Sequence, residues 1–179
     1  MALGPFHVAV GMNNRVWYYR CDGSSRELVN EREYLSTVDS VQLNHAFAAV
    51  LCEGRVHMHP LEAGASGTGE AMIFPDREGA GRVTTCVLTR EFLIYGTDEG
   101  AIEFFYLADW MPLSSCQFSH ECGISALFPN PGGTRLIFLD EANRGFLYVS
   151  SVVSVQLVVA ATVLRVLTTH CVFCIVGFV

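Results

Sequence analysis

The sequence predicts an all-β chain, and two observations predict it. Four segments share one pattern: an apolar strand, a tight turn rich in Asn, Asp, Glu or Gly, then a second strand rich in aromatic or branched residues. They are His7–Met12 into Arg15–Tyr19, Ala46–Leu51 into Arg55–Leu61, Phe92–Thr97 into Ala101–Leu107, and Leu136–Leu139 into Gly145–Val149. Successive first strands begin about 39 to 46 residues apart, which is the period of four-stranded propeller blades of the WD type. A closed ring of six or seven such blades needs about 250 to 320 residues, and this chain has 179. The expected architecture is a partial WD-type β-propeller of three to four blades over residues 1–149, followed by a divergent valine-rich apolar tail over 150–179.

In the first unit Asn13-Asn14 supplies the turn, and in the second Glu53-Gly54 does so. The stretches Ala63 to Gly69 and Asp76 to Gly81 are Gly-rich and read as loops or an insertion that lengthens the second blade. The third unit is the clearest. Val83–Leu88 alternates enough for an inner strand, Phe92–Thr97 follows, Asp98-Glu99-Gly100 turns the chain, Ala101–Leu107 returns, and Met111–Phe118 is expected as a more polar outer strand. Gly100 can take the positive φ that such a hairpin demands. Asp109-Trp110 stands near the place of the WD dipeptide in reversed order. The fourth unit runs from Ile124–Phe128 through Pro129-Asn130-Pro131-Gly132-Gly133 to Thr134–Leu139, the loop Asp140 to Arg144, and Gly145–Val149.

The residues singled out are structural turn positions: Gly54, Asp98, Gly100, Asp140 and Gly145. Asp98 and Asp140 both follow the second strand of a blade, where an Asp carboxylate accepts hydrogen bonds from turn N–H groups. Read as catalytic carboxylates they would need a paired acid, and none is placed by the sequence. His57 and His59 alternate on one strand and face one side, a geometry compatible with a metal, but no third ligand is placed near them. His170 with Cys171 and Cys174 has metal-site or redox spacing, yet only valine and phenylalanine separate the cysteines. Gly64 to Gly69 lacks the Lys-Ser/Thr ending of a phosphate-binding loop. No Ser or Cys sits in a nucleophile elbow. No catalytic residue, cofactor or metal is therefore expected, and the chain is expected not to be an enzyme. Trp17, Tyr18, Tyr19, Phe104, Phe105 and Tyr106 offer interface aromatics, about half of which should alternate into the blade core.

Composition narrows the partners. A net charge of −7 with no basic stripe argues against nucleic acid, which needs concentrated Lys and Arg. Seven scattered cysteines with no secretory signal before them suit free thiols in a reducing cytoplasm. Residues 150–179 carry Arg165 as their single charge. Three readings of that tail stand: an altered terminus replacing the rest of a longer protein, a membrane anchor interrupted by Arg165, or a pair of buried strands. Unpaired blade edges beside such a tail would make the chain adhesive.

Several separated stretches in the right order carry a resemblance: Gly4 to Arg15, Glu33-Tyr34-Leu35, Phe92 to Asp98, and Phe128 to Leu136. Together they resemble the WD repeat-containing protein nineteen family, the WD-repeat subunit of intraflagellar transport complex A, from about Gly4 to Tyr148. The resemblance implies part of a second propeller. It also implies a non-catalytic scaffold supporting retrograde transport, cilium assembly and ciliary receptor entry. The partners implied are the other complex A subunits and tubby-like cargo adaptors, and the implied location is the cilium, ciliary base and cytoplasm. A membrane enters only if the tail inserts. The runner-up readings are a tail-anchored membrane protein with cytosolic blades, or an inactive truncated product.

Overall fold

Alternating apolar residues close each predicted hairpin into a sheet of its own. The computed structural model describes residues 1–23, 25–62, 71–77 and 79–149, together with the strand Gln156–Val158. The Gly64–Gly69 loop and the His170–Cys174 motif lie outside the described residues. The first blade is β1 (Ala2–Leu3), β2 (His7–Met12), β3 (Arg15–Asp22) and β4 (Ser25–Glu33), in that order across the sheet. The second is β5 (Val38–Leu43), β6 (Phe47–Cys52), β7 (Arg55–Pro60) and β8 (Met72–Phe74). The third runs from β9 (Val83–Leu88) through β10 (Phe92–Thr97) and β11 (Ala101–Tyr106) to a divided outer edge, β12 (Met111–Pro112) and β13 (Phe118–Ser119). The fourth is β14 (Ile124–Pro129), β15 (Arg135–Asp140), β16 (Gly145–Val149) and β17 (Gln156–Val158). Every pairing is antiparallel between blade neighbours. The chain is a partial all-β propeller of the WD type, with four blades among the described residues.

The outer strand expected over Met111–Phe118 is two short pieces with a 3₁₀ turn, Ser114–Cys116, between them. Pro112 has no N–H for a continuing ladder. The chain instead dips inward so that Leu113 and Cys116 pack on the third and fourth blades. β17 falls inside the segment read as tail and pairs with β16 through Leu147↔Val158, Tyr148↔Leu157 and Val149↔Gln156. Among the described residues no helix is long and apolar enough to cross a membrane.

The core is a series of dry seams between blades. Ala9, Val16 and Tyr18 of the first blade meet Leu43, Ala48 and Val50 of the second. Ala49, Val56 and Met58 of the second meet Cys86, Leu93 and Tyr95 of the third. Ile94, Ile102 and Phe104 of the third meet Leu136, Phe138 and Tyr148 of the fourth. In each seam residues of one parity look forward and their chain neighbours look back, as period-two alternation requires. Phe104 and Phe105 divide in this way between two seams, and Trp110 packs against Phe47 and Phe105 at 5.3 and 5.5 Å between ring centroids.

Candidate functional site

The turn positions hold the blades together. Glu53 and Gly54 both have positive φ, 54° and 73°, as the two central residues of a type I′ hairpin require. Gly100 has φ +84°. In the β15–β16 turn the left-handed residue is Asn143, at φ 58°, while Gly145 opens β16 opposite Leu139. Asp98 Oδ1 accepts the Arg82 N–H at 2.8 Å, and Arg82 O accepts the Asp98 N–H at 3.0 Å, so this exposed carboxylate fastens the start of β9. Within the Asp98 turn itself the N–H of Ala101 goes to Thr97 Oγ1 at 3.1 Å.

Asp140 is fully buried and does more. Its Oδ1 accepts the Arg144 N–H at 2.8 Å, while Oδ2 takes Arg144 Nε–H at 2.7 Å and lies 3.3 Å from His120 Nε2. His120 comes from the connection between the third and fourth blades, and its own N–H donates to Gly100 O at 2.8 Å. The imidazole is therefore a bolt from the third-blade turn to the fourth, walled by the rings of Phe138 at 5.4 Å and Phe146 at 4.5 Å. Burial pushes the Asp140 carboxyl up, and the hydrogen bonds from Arg144 and His120 outweigh it, leaving the group below its ordinary range. Asp140→Asn is expected to lower stability by about 2 kcal/mol, the scale of a charge-assisted buried bond. Asp98→Asn should cost less than about 1 kcal/mol. Urea unfolding of the two variants checks the order.

His120, Cys122 and Asp140 each bring one ligand atom within 4.8 Å of the others. The place of a cation there is filled by Arg144, whose guanidinium binds Asp140 and whose second amino group reaches Cys122 Sγ at 3.4 Å. The donor set is thus a hydrogen-bonded junction, with its acceptor lone pairs already aimed at Arg144 and His120.

His57 and His59 do face one side of β7, toward the first blade, where Tyr18 and Tyr34 meet them. His59 Nδ1–H donates to Pro60 O at 3.0 Å. That tautomer leaves Nε2 to accept the Tyr34 O–H at 2.8 Å, and Tyr34 O to accept the Tyr18 O–H at 2.8 Å. Both His59 nitrogens are thereby engaged within the protein. Burial drives the imidazole down to about 4 and the Tyr18 and Tyr34 phenols up. Arg20 and His7 similarly meet on Glu62 at 2.9 and 3.1 Å, tying the first blade to the second. Sequence reasoning had Asp140 but did not link it to His120 or Arg144, and missed the Tyr18–Tyr34–His59 chain. An acid followed four residues on by Arg is the signal that was present for Arg144.

Among the described residues the surface is indented by open clefts. One, of about 490 Å³, is lined by Phe6, Leu43, Asn44, His45, Leu88 and Arg90, with Asn44 Nδ2 bonded across it to Thr89 O at 2.9 Å. Another, of about 360 Å³, is lined by Glu31, Arg32, Glu33, Tyr34, Leu35 and His57. The second is also lined by His59, whose Nε2 accepts the Tyr34 O–H at 2.8 Å; burial pushes the Cys86 thiol up to about 12, far from the thiolate that nucleophilic chemistry uses.

Comparison with known proteins agrees with the blade geometry. A family model described as the WDR19 second beta-propeller matches residues 1–163. The chain is 40% identical over 151 residues to WD repeat-containing protein 19 of Homo sapiens, covering 83% of this chain and 11% of that protein, with the same identity and coverage for the Mus musculus protein. It thus spans about a tenth of the length of these curated relatives. Among solved structures it resembles the Cps50 (Swd1) beta-propeller domain of Myceliophteria thermophila, with TM-score 0.65 and 14% identity over 87% of this chain and 55% of that one. A chain of the mitotic checkpoint complex matches with TM-score 0.63 and 16% identity over 87% of this chain and 49% of that one. These last two likenesses show the fold alone. Four sequential blades, the bolts between them and a family match across most of the chain lead to one conclusion: this chain belongs to the WDR19 second beta-propeller family.

Proposed function

We propose that the chain is a non-catalytic scaffold segment of an intraflagellar transport complex A subunit. In that role it supports retrograde ciliary transport, cilium assembly and the entry of receptors into the cilium, at the cilium, the ciliary base and the cytoplasm. The observation that carries this reading is the family match over residues 1–163, at 40% identity to the human relative over 83% of the chain. The physical arrangement suits it. Rigid seams hold the loops at each end of the blades in fixed relation, so a partner meets a preformed surface and little ordering entropy is lost on docking. The cleft bearing Phe6, His45 and Arg90 mixes an exposed aromatic with polar groups, the composition on which protein partners anchor. The partners proposed are the other complex A subunits, with tubby-like cargo adaptors as a second class.

A tagged Met1–Val179 chain, expressed in ciliated cells and recovered from the soluble fraction, is expected to co-purify complex A subunits. Recovery should fall at least fivefold when Phe6→Asp and Arg90→Glu are combined, both at exposed positions that leave the seams intact. Absence of every complex A subunit from the folded chain's eluate would overturn the proposal.

A further inference from the structure

The cleft of about 490 Å³ is built from one element that recurs in three consecutive blades. The β1–β2, β5–β6 and β9–β10 hairpins each close through a backbone bond that spans two turn residues. These bonds run from Gly4 N–H to His7 O at 2.8 Å, from Asn44 N–H to Phe47 O at 3.1 Å, and from Thr89 N–H to Phe92 O at 2.8 Å. The tips are therefore Pro5-Phe6, His45-Ala46 and Arg90-Glu91, and they meet around one cleft at one end of the blades. Blades pack on one another face to face along the seams, whereas this cleft opens where the strands end. Its walls belong to three blades whose two mutual seams are closed, so the cleft does not depend on where the arc starts or stops.

Two kinds of group are left there for a partner. Apolar contact comes from Phe6, which is 62% exposed, together with Leu43 and Leu88, the residues that precede the second and third turns. Arg90 supplies a positive charge and His45 a further donor; both are exposed, and among the described residues neither enters an ion pair. The polar groups beside them are already engaged. Asn44 Oδ1 accepts the N–H groups of Ala46 and Phe47 at 2.9 and 2.7 Å, and Thr89 Oγ1 accepts that of Phe92 at 2.9 Å, which fixes the turns that carry His45 and Arg90. No Asp or Glu lines the cleft, although along the chain these outnumber Lys and Arg by 18 to 11. In a protein of net charge −7 this end is thus a local exception, complementary to negative charge.

We infer that this cleft receives an acidic, apolar-anchored segment of a protein partner. An Asp or Glu carboxylate of that segment sits on Arg90, and a Leu or Phe side chain a few residues away packs among Phe6, Leu43 and Leu88. The guanidinium takes a carboxylate through two parallel N–H donors, which fixes direction as well as charge. The apolar side chain supplies the anchor from which most of the affinity comes. A long polyanion or an anionic lipid surface would also meet the acids elsewhere on the chain, whereas a short segment meets only the cleft. The inference rests on the scaffold reading above, which makes this cleft a docking place, and adds the chemistry of what docks.

The test selects binders of purified Met1–Val179 from a phage-displayed library of random decapeptides, and titrates a selected decapeptide, labelled with fluorescein, by anisotropy. Selected sequences are expected to hold Asp or Glu within a few residues of Leu or Phe. Affinity should fall about tenfold or more with Arg90→Glu and with Phe6→Ala, both at exposed turn positions, and far-UV circular dichroism verifies that each variant remains folded. Changing the peptide's acid to Lys should weaken binding to the wild-type chain and strengthen it to Arg90→Glu, a reversal that damage to the fold would not produce. The inference is overturned if no peptide is enriched, if the selected sequences lack an acid, or if affinity is indifferent to both substitutions. Preferential binding of phosphatidylserine vesicles over the selected peptide would overturn it as well. No ciliary protein enters this test, so the two readings fail separately: complex A subunits recovered without any acidic peptide bound would sink this inference alone, and peptide bound without complex A subunits would sink only the scaffold reading.

Discussion

Gly100→Ala is expected to cost about 4 kcal/mol or more and to release the fourth blade from the third. A methyl group there would lie 2.7 Å from the carbonyl oxygen of Cys122 and closer still to that of His120. Both obstacles are backbone. The His120 peptide cannot back away freely, since its N–H is held by Gly100 O at 2.8 Å. The φ of +84° adds a conformational penalty that any L side chain would carry. Together these place the substitution among the rare large single-residue losses. Gly23 separates the two causes, because it also has positive φ but no atom within 4 Å of its would-be Cβ. Gly23→Ala should cost about 1 kcal/mol. Urea unfolding of both variants decides: a Gly100→Ala loss no larger than that of Gly23→Ala would show that crowding at the His120 bolt contributes nothing.

Acid is expected to weaken the seam between the first and second blades through His59. The imidazole is buried and neutral in the fold, with its affinity for protons lowered to about 4 from the ordinary 6.5. The unfolded chain binds this proton more readily, so the contribution is fully present above 6.5. It is lost progressively as the pH falls to about 4. Burial is the main cause, with the charges of Arg32 and protonated His57 acting in the same direction and the Pro60 carbonyl opposing them. A shift of that size corresponds to a loss of roughly 3 kcal/mol across the window. His57 is lowered as well, by burial and Arg55, and adds in the same sense. Asp140 adds its own loss only lower down, because its carboxyl is held below the ordinary range. Unfolding midpoints measured between pH 7.5 and 4 should fall steeply for the wild-type chain and more shallowly for His59→Gln. Equal slopes would show that His59 does not carry the effect.

The hairpins β2–β3, β6–β7, β10–β11 and β15–β16 were legible because their strands are buried on at least one face and their turns need particular residues. Glu53-Gly54 and Asp98-Glu99-Gly100 announce themselves by composition. The outer strands were not. β4 is Ser-Arg-Glu-Leu-Val-Asn-Glu-Arg-Glu, mostly exposed, with a bulge opposite Tyr18 and Tyr19 that shifts its register. An outer strand has a neighbour on one edge only and little to bury, so the alternation that reveals a strand fades there. The polar junctions were half legible. Asp140 could be found from its place after a strand, but the link to His120 depends on how one blade leans on the next. That relation arises from the packing of Ile94 and Phe104 against Phe138 and Tyr148, and no local pattern encodes it. From the sequence His59 is legible only as one of two histidines on one face of a strand. Its burial depends on Tyr18 and Tyr34, 41 and 25 residues earlier in the chain.

Among the described residues every sheet is built from strands that follow one another along the chain, and none borrows a strand from a distant segment. During synthesis each blade can therefore zip up as soon as its own residues leave the ribosome, without waiting for the far end of the polypeptide. Among the described residues the closures are local, from two-residue hairpin turns to the eleven-residue link between β7 and β8, and hairpins form on the microsecond scale. The seams then follow in order, each new blade docking on a finished one, as expected of a quasi-one-dimensional array. The first blade must spend that interval with Tyr18 and Val16 facing water, since their cover comes from Leu43, Ala48 and Val50. The vulnerable moment in this protein's life is consequently the pause between one blade and the next, and a chaperone recognising exposed aromatic strands would act there.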